Sequence, residues 1–253
     1  MLNPDARRRL IFALDTGGDL GQAMTWVDLL KDHVGMFKVG KEAFTSFGPG
    51  IISRIIDRGA KVFLDLKFHD IPNTVSGASA AAVELGVSMF NVHALGGKEM
   101  MEHAVSSARS TAERLSVEMP LVLAVTVLTS LNDRDLRDLG FRHTAGELAV
   151  HLARMARQAG LSGVVASARE VVPIRKACGD DFIILTPGIR WGAQAAGDDQ
   201  KRVLSPLEAI RNGADFLVVG RPISTSNNPP GTADEICEEI SRGLALSDSA
   251  SKR

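Results

Sequence analysis

The chain has 253 residues, of which 45% are hydrophobic and 23% are charged, a composition typical of a globular protein with a substantial core. Its formal net charge of −1 gives no electrostatic footprint for nucleic acid or for an acidic membrane surface, so we expect neither as a partner. No apolar run approaches the ~20 residues of a membrane span and no secretory signal is evident, so we expect a cytoplasmic protein.

Short apolar runs without in–out alternation recur along the chain and predict buried parallel strands. We predict eight of them, at Leu10–Asp15, Met36–Gly40, Val62–Lys67, Met89–Ala94, Leu121–Leu128, Gly163–Ser167, Phe182–Pro187 and Phe216–Gly220. Amphipathic stretches between the runs predict helices at Gly21–Asp32, Pro49–Arg58, Val75–Leu85, Lys98–Arg114, Ala145–Gln158, Glu170–Cys178, Pro206–Asn212 and Ala233–Leu244. Glycines at 59, 86, 160 and 213 are the expected stop signals after four of these helices.

The alternation of strands and helices predicts an α/β fold, a closed parallel (β/α)₈ TIM barrel in a single domain covering residues 1–253. The alternative is a doubly wound open sheet, which the strand count and the absence of a composition break disfavour. The polar C-terminal end, from about residue 247, is expected to fray.

The densest group of charges follows the third predicted strand. Asp65 and Lys67 are two residues apart, so strand alternation places both side chains on one face. Asp70 comes one step later, and Pro72 prevents the strand from continuing. Charges at the end of an apolar strand are costly unless they pair or take part in chemistry. This segment is therefore the predicted centre of a site.

Asp15 and Lys38 bring further charge to the same edge, where barrel enzymes keep their active sites. The structural alternative is an ion-pair lattice that only closes the barrel mouth, but five charges from three successive strand ends favour a functional site. Carboxylates around an amine favour its charged form. Lys67 is then a poor Schiff-base former but a good proton donor and carbanion stabiliser. His93 is the competing acid or base, although a lone histidine at a strand end is more commonly a packing or ligand-contact residue.

The ends of the seventh and eighth predicted strands are typical of a phosphate site. Pro187 and Arg190 follow one strand, and Gly220 and Arg221 close the other. Glycine lets backbone N–H groups approach an anion, arginine adds bidentate recognition, and barrels often bind phosphate here. The long segment Trp191–Arg202 is predicted to be a closing lid rather than a plain connection. No His, Cys, Asp and Glu set has metal-ligand spacing, so no metal is predicted.

The chain resembles the orotidine 5′-phosphate decarboxylase family in its bacterial single-function form. The signature Asp-x-Lys-x-x-Asp-Ile-Pro-x-Thr is present without departure from Asp65 to Thr74 and is highly specific. Further matching segments extend over nearly the whole chain, at residues 12–15, 37–40, 127–130, 186–190, 198–202 and 220–223.

The resemblance implies cofactor-free decarboxylation of orotidine 5′-monophosphate to uridine 5′-monophosphate, the last step of UMP biosynthesis, by a homodimer with shared active sites. It implies that Lys67 donates the proton to C6 and that Asp65 and Asp70 flank the departing carboxylate, with Asp70 supplied by the partner subunit. Lys38 lies in the same charge network and is a further expected catalytic residue. The remaining implied contacts are Asp15 and Lys38 to the ribose, Ile71 and Thr74 of the partner subunit along the site, Thr129 to the pyrimidine, and Arg190, Gln200, Gly220 and Arg221 at the phosphate, with Pro187 as a further expected substrate contact.

Two rival functions remain at this point. A magnesium-dependent 3-keto-gulonate 6-phosphate decarboxylase shares the Asp-x-Lys-x-x-Asp core but would need an acidic metal ligand where this chain has Lys38. A catalytically inert phosphate-binding barrel would be favoured by the loss of a charged residue, but all five are present.

Overall fold

A ring of eight parallel strands forms the centre of the part of the chain that the computed structural model describes, residues 3–15, 17–189 and 204–251. Each strand pairs in parallel with the next, and the last pairs with the first, so the barrel is closed. The predicted (β/α)₈ barrel is confirmed and the open sheet is ruled out. The strands are β1 (Leu10–Ala13), β2 (Met36–Gly40), β3 (Val62–Phe68), β4 (Met89–His93), β5 (Leu121–Val125), β6 (Gly163–Val165), β7 (Ile183–Pro187) and β8 (Phe216–Val219).

Helices surround this ring, and every predicted helix is present. Among the described residues they are α1 (Pro4–Arg9), α2 (Leu20–Leu30), α3 (Lys41–Phe47), α4 (Gly50–Ile56), α5 (Pro72–Glu84), α6 (Gly97–Leu115), α7 (Asp133–Asp138), α8 (Ala145–Gln158), α9 (Val171–Cys178), α10 (Pro206–Arg211), α11 (Arg221–Ser224) and α12 (Pro229–Ser251), with a 3₁₀ turn at Ala94–Gly96. The short helices α1, α3, α7 and α11 were not predicted. None of the described helices is long and apolar enough to cross a lipid bilayer.

Local sequence determines where these helices begin and end. At α7, α8 and α10 the N-cap side chain binds the backbone of the third helical residue, and that residue's carboxylate binds back to the cap. This reciprocal capping satisfies N–H groups that have no partner within the helix. The four glycines predicted as stop signals all have positive φ, from 76° to 105°. Glycine adopts this left-handed backbone without steric cost, so each helix ends there.

The apolar side chains form two separate clusters because successive strand residues point to opposite faces of the barrel wall. Outward residues such as Leu10, Phe12 and Phe37 pack in the cluster beneath the helices. The inward cluster fills the barrel with Ile11, Ala13, Met36, Phe63, Met89, Leu123, Val125, Val165, Leu185 and Val218. The next inward positions along β2, β3 and β4 are polar, so a polar layer lies directly on the apolar interior at the C-terminal mouth.

Candidate active site

Four charged side chains from three neighbouring strands meet at the C-terminal mouth of the barrel. Lys38 Nζ lies 3.1 Å from Asp15 Oδ1 and 3.7 Å from Asp65 Oδ2. Lys67 Nζ lies 2.6 Å from Asp65 Oδ1. Asp65 therefore joins two ammonium groups, one through each carboxylate oxygen. The result is a continuous chain of alternating charge, Asp15–Lys38–Asp65–Lys67.

Exposure differs sharply along this network. The side chains of Lys38 and Asp65 are 11% and 14% exposed, whereas those of Lys67 and Asp15 are 26% and 49% exposed. Attraction between charges is stronger in such partly buried positions than in bulk water. Lys67 is the more accessible of the two ammonium groups at the mouth.

Gly40 gives the Lys38 ammonium the room it occupies. Gly40 is the residue of β2 that stands in register with Asp65, and a Cβ there would lie 2.9 Å from Lys38 Nζ and 3.3 Å from Asp15 Oδ1. Its φ of −87° and ψ of −178° are open to any residue. Space, rather than backbone conformation, therefore requires glycine here.

Lys67 has a left-handed backbone, with φ 55°. The pairing of β3 with β4 runs from Leu64–Phe90 to Phe68–Val92, so β3 contains a bulge between these pairs. A left-handed non-glycine residue costs about 1–2 kcal/mol, and such strain concentrates at functional sites. The prediction that Asp65 and Lys67 meet is correct, but the ammonium reaches Asp65 through this bulge rather than through regular strand alternation.

Asn91 lies at the inward position of β4 opposite the bulge and is fully buried. Its Nδ2 donates to Asp65 Oδ1 at 2.8 Å, and its Oδ1 accepts a hydrogen bond from Lys67 N at 2.8 Å. Asn91 is not among the site residues predicted from the sequence. The available signal was a polar residue inside an otherwise apolar strand, two positions before His93 and hence on the same inward face.

His93 is buried at the end of β4 and is neutral at physiological pH. Burial lowers the pKa of His93 to about 4, helped by the nearby charges of His69, Lys67 and Lys41. Its Nδ1 accepts from Leu95 N at 3.3 Å, and its ring stacks on His69 with centroids 5.3 Å apart. With Nδ1 as acceptor the proton sits on Nε2. These contacts match a packing role and leave Lys67 as the better proton donor.

The segment after β3 does not join the network within one chain. Asp70 is exposed, and its Oδ1 accepts from Ile71 N at 2.7 Å. Ile71 is 66% exposed, and Thr74 in the first turn of α5 is also exposed. Leu95 and Leu128, which follow β4 and β5, are likewise exposed hydrophobics at this end of the barrel. This edge of the mouth is thus apolar as well as acidic.

The remaining predicted contacts surround the mouth on the ends of β5, β7 and β8. Thr129 is exposed in the turn after β5, and Pro187 ends β7. Gly220 follows β8 at a crowded point, where a Cβ would lie 3.2 Å from Ala13 Cβ. Arg221 is exposed at the first position of α11.

Two predicted phosphate contacts, Arg190 and Gln200, lie outside the described residues, as does the whole predicted lid Trp191–Arg202. Within the described ranges, no group of three or more His, Cys, Asp or Glu side chains could hold a metal ion. Asp15 and Asp65, the two carboxylates of the network, are paired with ammonium groups.

Residues 8–236 match the model of the family described as orotidine 5′-phosphate decarboxylase / HUMPS. A protein named orotidine 5′-phosphate decarboxylase from Syntrophus aciditrophicus (strain SB) is 61% identical over 245 residues, which cover 97% of this chain and 98% of that protein. A second protein with this name, from Geotalea daltonii, is 50% identical over 243 residues, covering 96% of this chain and 100% of its own length.

Solved structures agree with these sequence matches. The orotidine 5′-phosphate decarboxylase of Lactobacillus acidophilus superposes with a TM-score of 0.81 at 36% identity, covering 92% of this chain and 99% of that chain. An uncharacterized conserved protein from Geobacillus kaustophilus gives a TM-score of 0.78 at 32% identity, with 91% and 99% covered. The chain therefore belongs to the orotidine 5′-phosphate decarboxylase / HUMPS family and is an enzyme, a carboxy-lyase.

Proposed function

We propose that this enzyme decarboxylates orotidine 5′-monophosphate to uridine 5′-monophosphate without a metal or an organic cofactor. The names of its relatives support the substrate, and with it a place at the last step of pyrimidine biosynthesis. The observation that carries the chemistry is the Lys67 ammonium, held 2.6 Å from Asp65 and 26% exposed at the barrel mouth. We further propose that the chain works in the cytoplasm as a single barrel domain.

The reaction breaks the bond between C6 and the carboxylate and leaves an electron pair on C6. The fixed positive charge of Lys67 stabilises this carbanion as it forms. An N–H proton of Lys67 then passes to C6, and the resulting amine recovers a proton from solvent. The sum is substrate plus one proton giving product plus carbon dioxide, so no other reactant is needed.

Asp65 and Asp70 are proposed to flank the departing carboxylate. Their negative charges repel the bound substrate carboxylate, and the repulsion weakens as neutral carbon dioxide leaves. Interactions that become more favourable between the bound state and the transition state are the ones that raise kcat. Lys38 pairs with the second oxygen of Asp65 at 3.7 Å, which helps to hold this carboxylate in place.

The rest of the nucleotide is proposed to bind around this centre. Asp15 and Lys38 take the ribose hydroxyls, and Thr129 contacts the pyrimidine. Gly220 and Arg221, with Pro187, Arg190 and Gln200, take the phosphate at the ends of β7 and β8. Binding energy from this remote phosphate is available to order the charged centre in the transition state.

A homodimer is proposed because Asp70 does not reach Lys67 within one chain. Asp70, Ile71 and Thr74 are exposed at the mouth, and Leu95 and Leu128, which follow β4 and β5, are exposed at the same end of the barrel. A second copy packed on this edge would cover the apolar side chains and bring Asp70 of the partner subunit to Lys67.

Subunit mixing tests the shared site. Lys67→Ala and Asp70→Ala proteins should each be inactive alone. In a heterodimer of the two, one of the two sites receives both native residues, so a fully exchanged equal mixture should recover about a quarter of the wild-type activity. No recovery, in a mixture whose exchange is confirmed by differently tagged chains, would refute the shared site.

The loss of orotidylate absorbance in excess chelator tests the reaction itself. We expect rapid loss with the wild-type protein and none with Lys67→Ala. Loss only after magnesium is restored would instead indicate chemistry like that of the metal-dependent 3-keto-gulonate 6-phosphate decarboxylase. Lys38 argues against that alternative, because a cation at the second strand end repels a divalent metal ion. No loss under either condition would contradict the proposed substrate.

A further inference from the structure

We propose that Asn91 is a positioning residue for the decarboxylation: its side-chain amide holds the left-handed backbone of Lys67 and the carboxylate of Asp65 in one arrangement, with no contact to substrate required. This inference rests on the proposed function. It concerns how the proton donor is held rather than which substrate is used.

The bulge in β3 creates the need for such a residue. Two pairs in register, Leu64–Phe90 and Phe68–Val92, leave four steps on β3 against two on β4. Lys67 N therefore donates to the side chain of Asn91 at 2.8 Å, rather than to a backbone carbonyl of β4. Without Asn91 this N–H would lose its partner in a largely buried place, a cost of about 1–3 kcal/mol.

The orientation of the amide follows from its two partners. Lys67 N can only donate, so it must face Oδ1 of Asn91, and the Asp65 carboxylate accepts, so it must face Nδ2. A flipped amide would lose both hydrogen bonds at once. Asn91 is fully buried, so its amide depends on these two partners for its hydrogen bonds.

Asn91 thereby links the two ends of one ion pair. Asp65 Oδ1 accepts from both Asn91 Nδ2 at 2.8 Å and Lys67 Nζ at 2.6 Å. The same side chain thus fixes the carboxylate that holds the ammonium and the backbone from which the ammonium extends. A leucine of similar volume would fill the space but satisfy neither group.

The first test compares kcat and KM for Asn91→Leu with the wild-type protein. Displacement of a reacting group by about 1 Å commonly costs on the order of 100-fold in rate, so we expect kcat to fall by about that factor. KM should change by less than about threefold, because the phosphate contacts at β7 and β8 are untouched. Unchanged kcat for the folded variant would overturn the proposal.

Ser79→Ala is the matched control. Ser79 is also fully buried, and its Oγ donates to Val75 O at 2.8 Å within α5. Its loss removes a buried side-chain hydrogen bond without touching Asp65 or Lys67. We expect unchanged kcat, with the melting temperature measured on the same preparation. A fall in kcat equal to that of Asn91→Leu would show that general destabilisation explains both.

The pH dependence of Asn91→Asp separates positioning from packing. An ionised carboxylate here would face Asp65, which is itself paired with Lys67 and Lys38, and it could not donate to Asp65. His93 is the titratable group on the same strand. The protonated acid can donate to Asp65 and accept from Lys67 N, as the amide does. The ratio of variant to wild-type kcat should therefore rise on the order of tenfold from pH 8 to pH 5.5. A constant ratio would contradict the proposal.

A crystal structure of Asn91→Leu decides the same point without substrate. We expect Lys67 to leave the left-handed region, or its Nζ to leave Asp65 Oδ1. Retention of both features would overturn the proposal. If the wild-type protein left orotidylate unchanged, the proposed function would fail, while this structural result would still judge the role of Asn91.

Discussion

Gly40→Ala should reduce activity sharply while leaving the fold intact. The added methyl group would stand 2.9 Å from Lys38 Nζ, whereas ordinary contacts begin near 3.4 Å, so the ammonium must retreat by at least about 0.5 Å. The atom that must move is the end of a flexible side chain, so folding accommodates the methyl group. The retreat changes the distances to Asp15 and Asp65, which are 3.1 and 3.7 Å.

The expected magnitudes follow from this geometry. A misplacement approaching 1 Å in a charged active site costs up to about 100-fold, so kcat/KM should fall about 10- to 100-fold. Stability should change by no more than about 1 kcal/mol. Alanine at a φ of −87° restricts the unfolded chain, which offsets the weakened, partly exposed ion pair.

The assay is orotidylate decarboxylation together with urea unfolding of the same preparations. Gly146→Ala is the control, because a Cβ at Gly146 in α8 meets nothing within 4 Å. This control should keep wild-type kcat/KM and gain slightly in stability. Full activity of Gly40→Ala would refute the claim that Lys38 needs this space, and a protein that fails to fold would refute the claim that only a side-chain end must move.

Three further predictions concern stability. Burial lowers the pKa of His93 to about 4, so the unfolded chain binds a proton at this histidine before the folded chain does. The free energy of unfolding should therefore fall by up to about 3 kcal/mol as pH drops from 6.5 to 4. Urea unfolding of His93→Asn should lack this loss. Burial raises the pKa of Glu170 to about 7, so the folded chain keeps the carboxyl proton to a higher pH than the unfolded chain does. The free energy of unfolding should therefore fall by up to about 3 kcal/mol as pH rises from 4.5 to 7. Glu170→Gln should remove this fall, and an unchanged pH dependence of stability would contradict the raised pKa. The two groups change the free energy of unfolding in opposite directions between pH 4.5 and 6.5. Each variant should therefore show the pH dependence that is due to the other group. Arg175 is only 16% exposed and donates to Asp215 Oδ2 and to four backbone carbonyls. Arg175→Met should therefore lower the free energy of unfolding, measured in urea, by about 3 kcal/mol. A loss below about 1 kcal/mol would show that water replaces these hydrogen bonds.

Much of the fold could be predicted from the sequence because apolar runs and helical periodicity depend on local residues alone. All eight strands fall where predicted among the described residues, but several end earlier. Asp15, for example, was placed inside the first strand, which ends at Ala13. Residues at a barrel mouth stop making strand-to-strand hydrogen bonds and turn toward the site, and amino-acid composition does not show at which residue these bonds end. Short helices such as α1 and α3 were missed because one or two turns carry too little periodicity.

The candidate site was predictable in its residues but not in its construction. Asp15, Lys38, Asp65 and Lys67 could be selected because charges at strand ends converge in a barrel. The bulge in β3 could not, since the register of two strands depends on their tertiary pairing. Asn91 stood out only as a polar residue inside an apolar strand, and that signal did not show its role, which exists only opposite the bulge.

The bulge opposite Asn91 limits how the segment 65–74 can be transplanted to another protein. Residues 65–74 are continuous in sequence, but the left-handed backbone of Lys67 depends on the side-chain amide of Asn91 in the neighbouring strand. A designer who grafts the segment onto another barrel must carry the asparagine position along with it. In directed evolution, too, substitutions in β3 and β4 near this bulge should be coupled, because the effect of a change in one strand depends on the other.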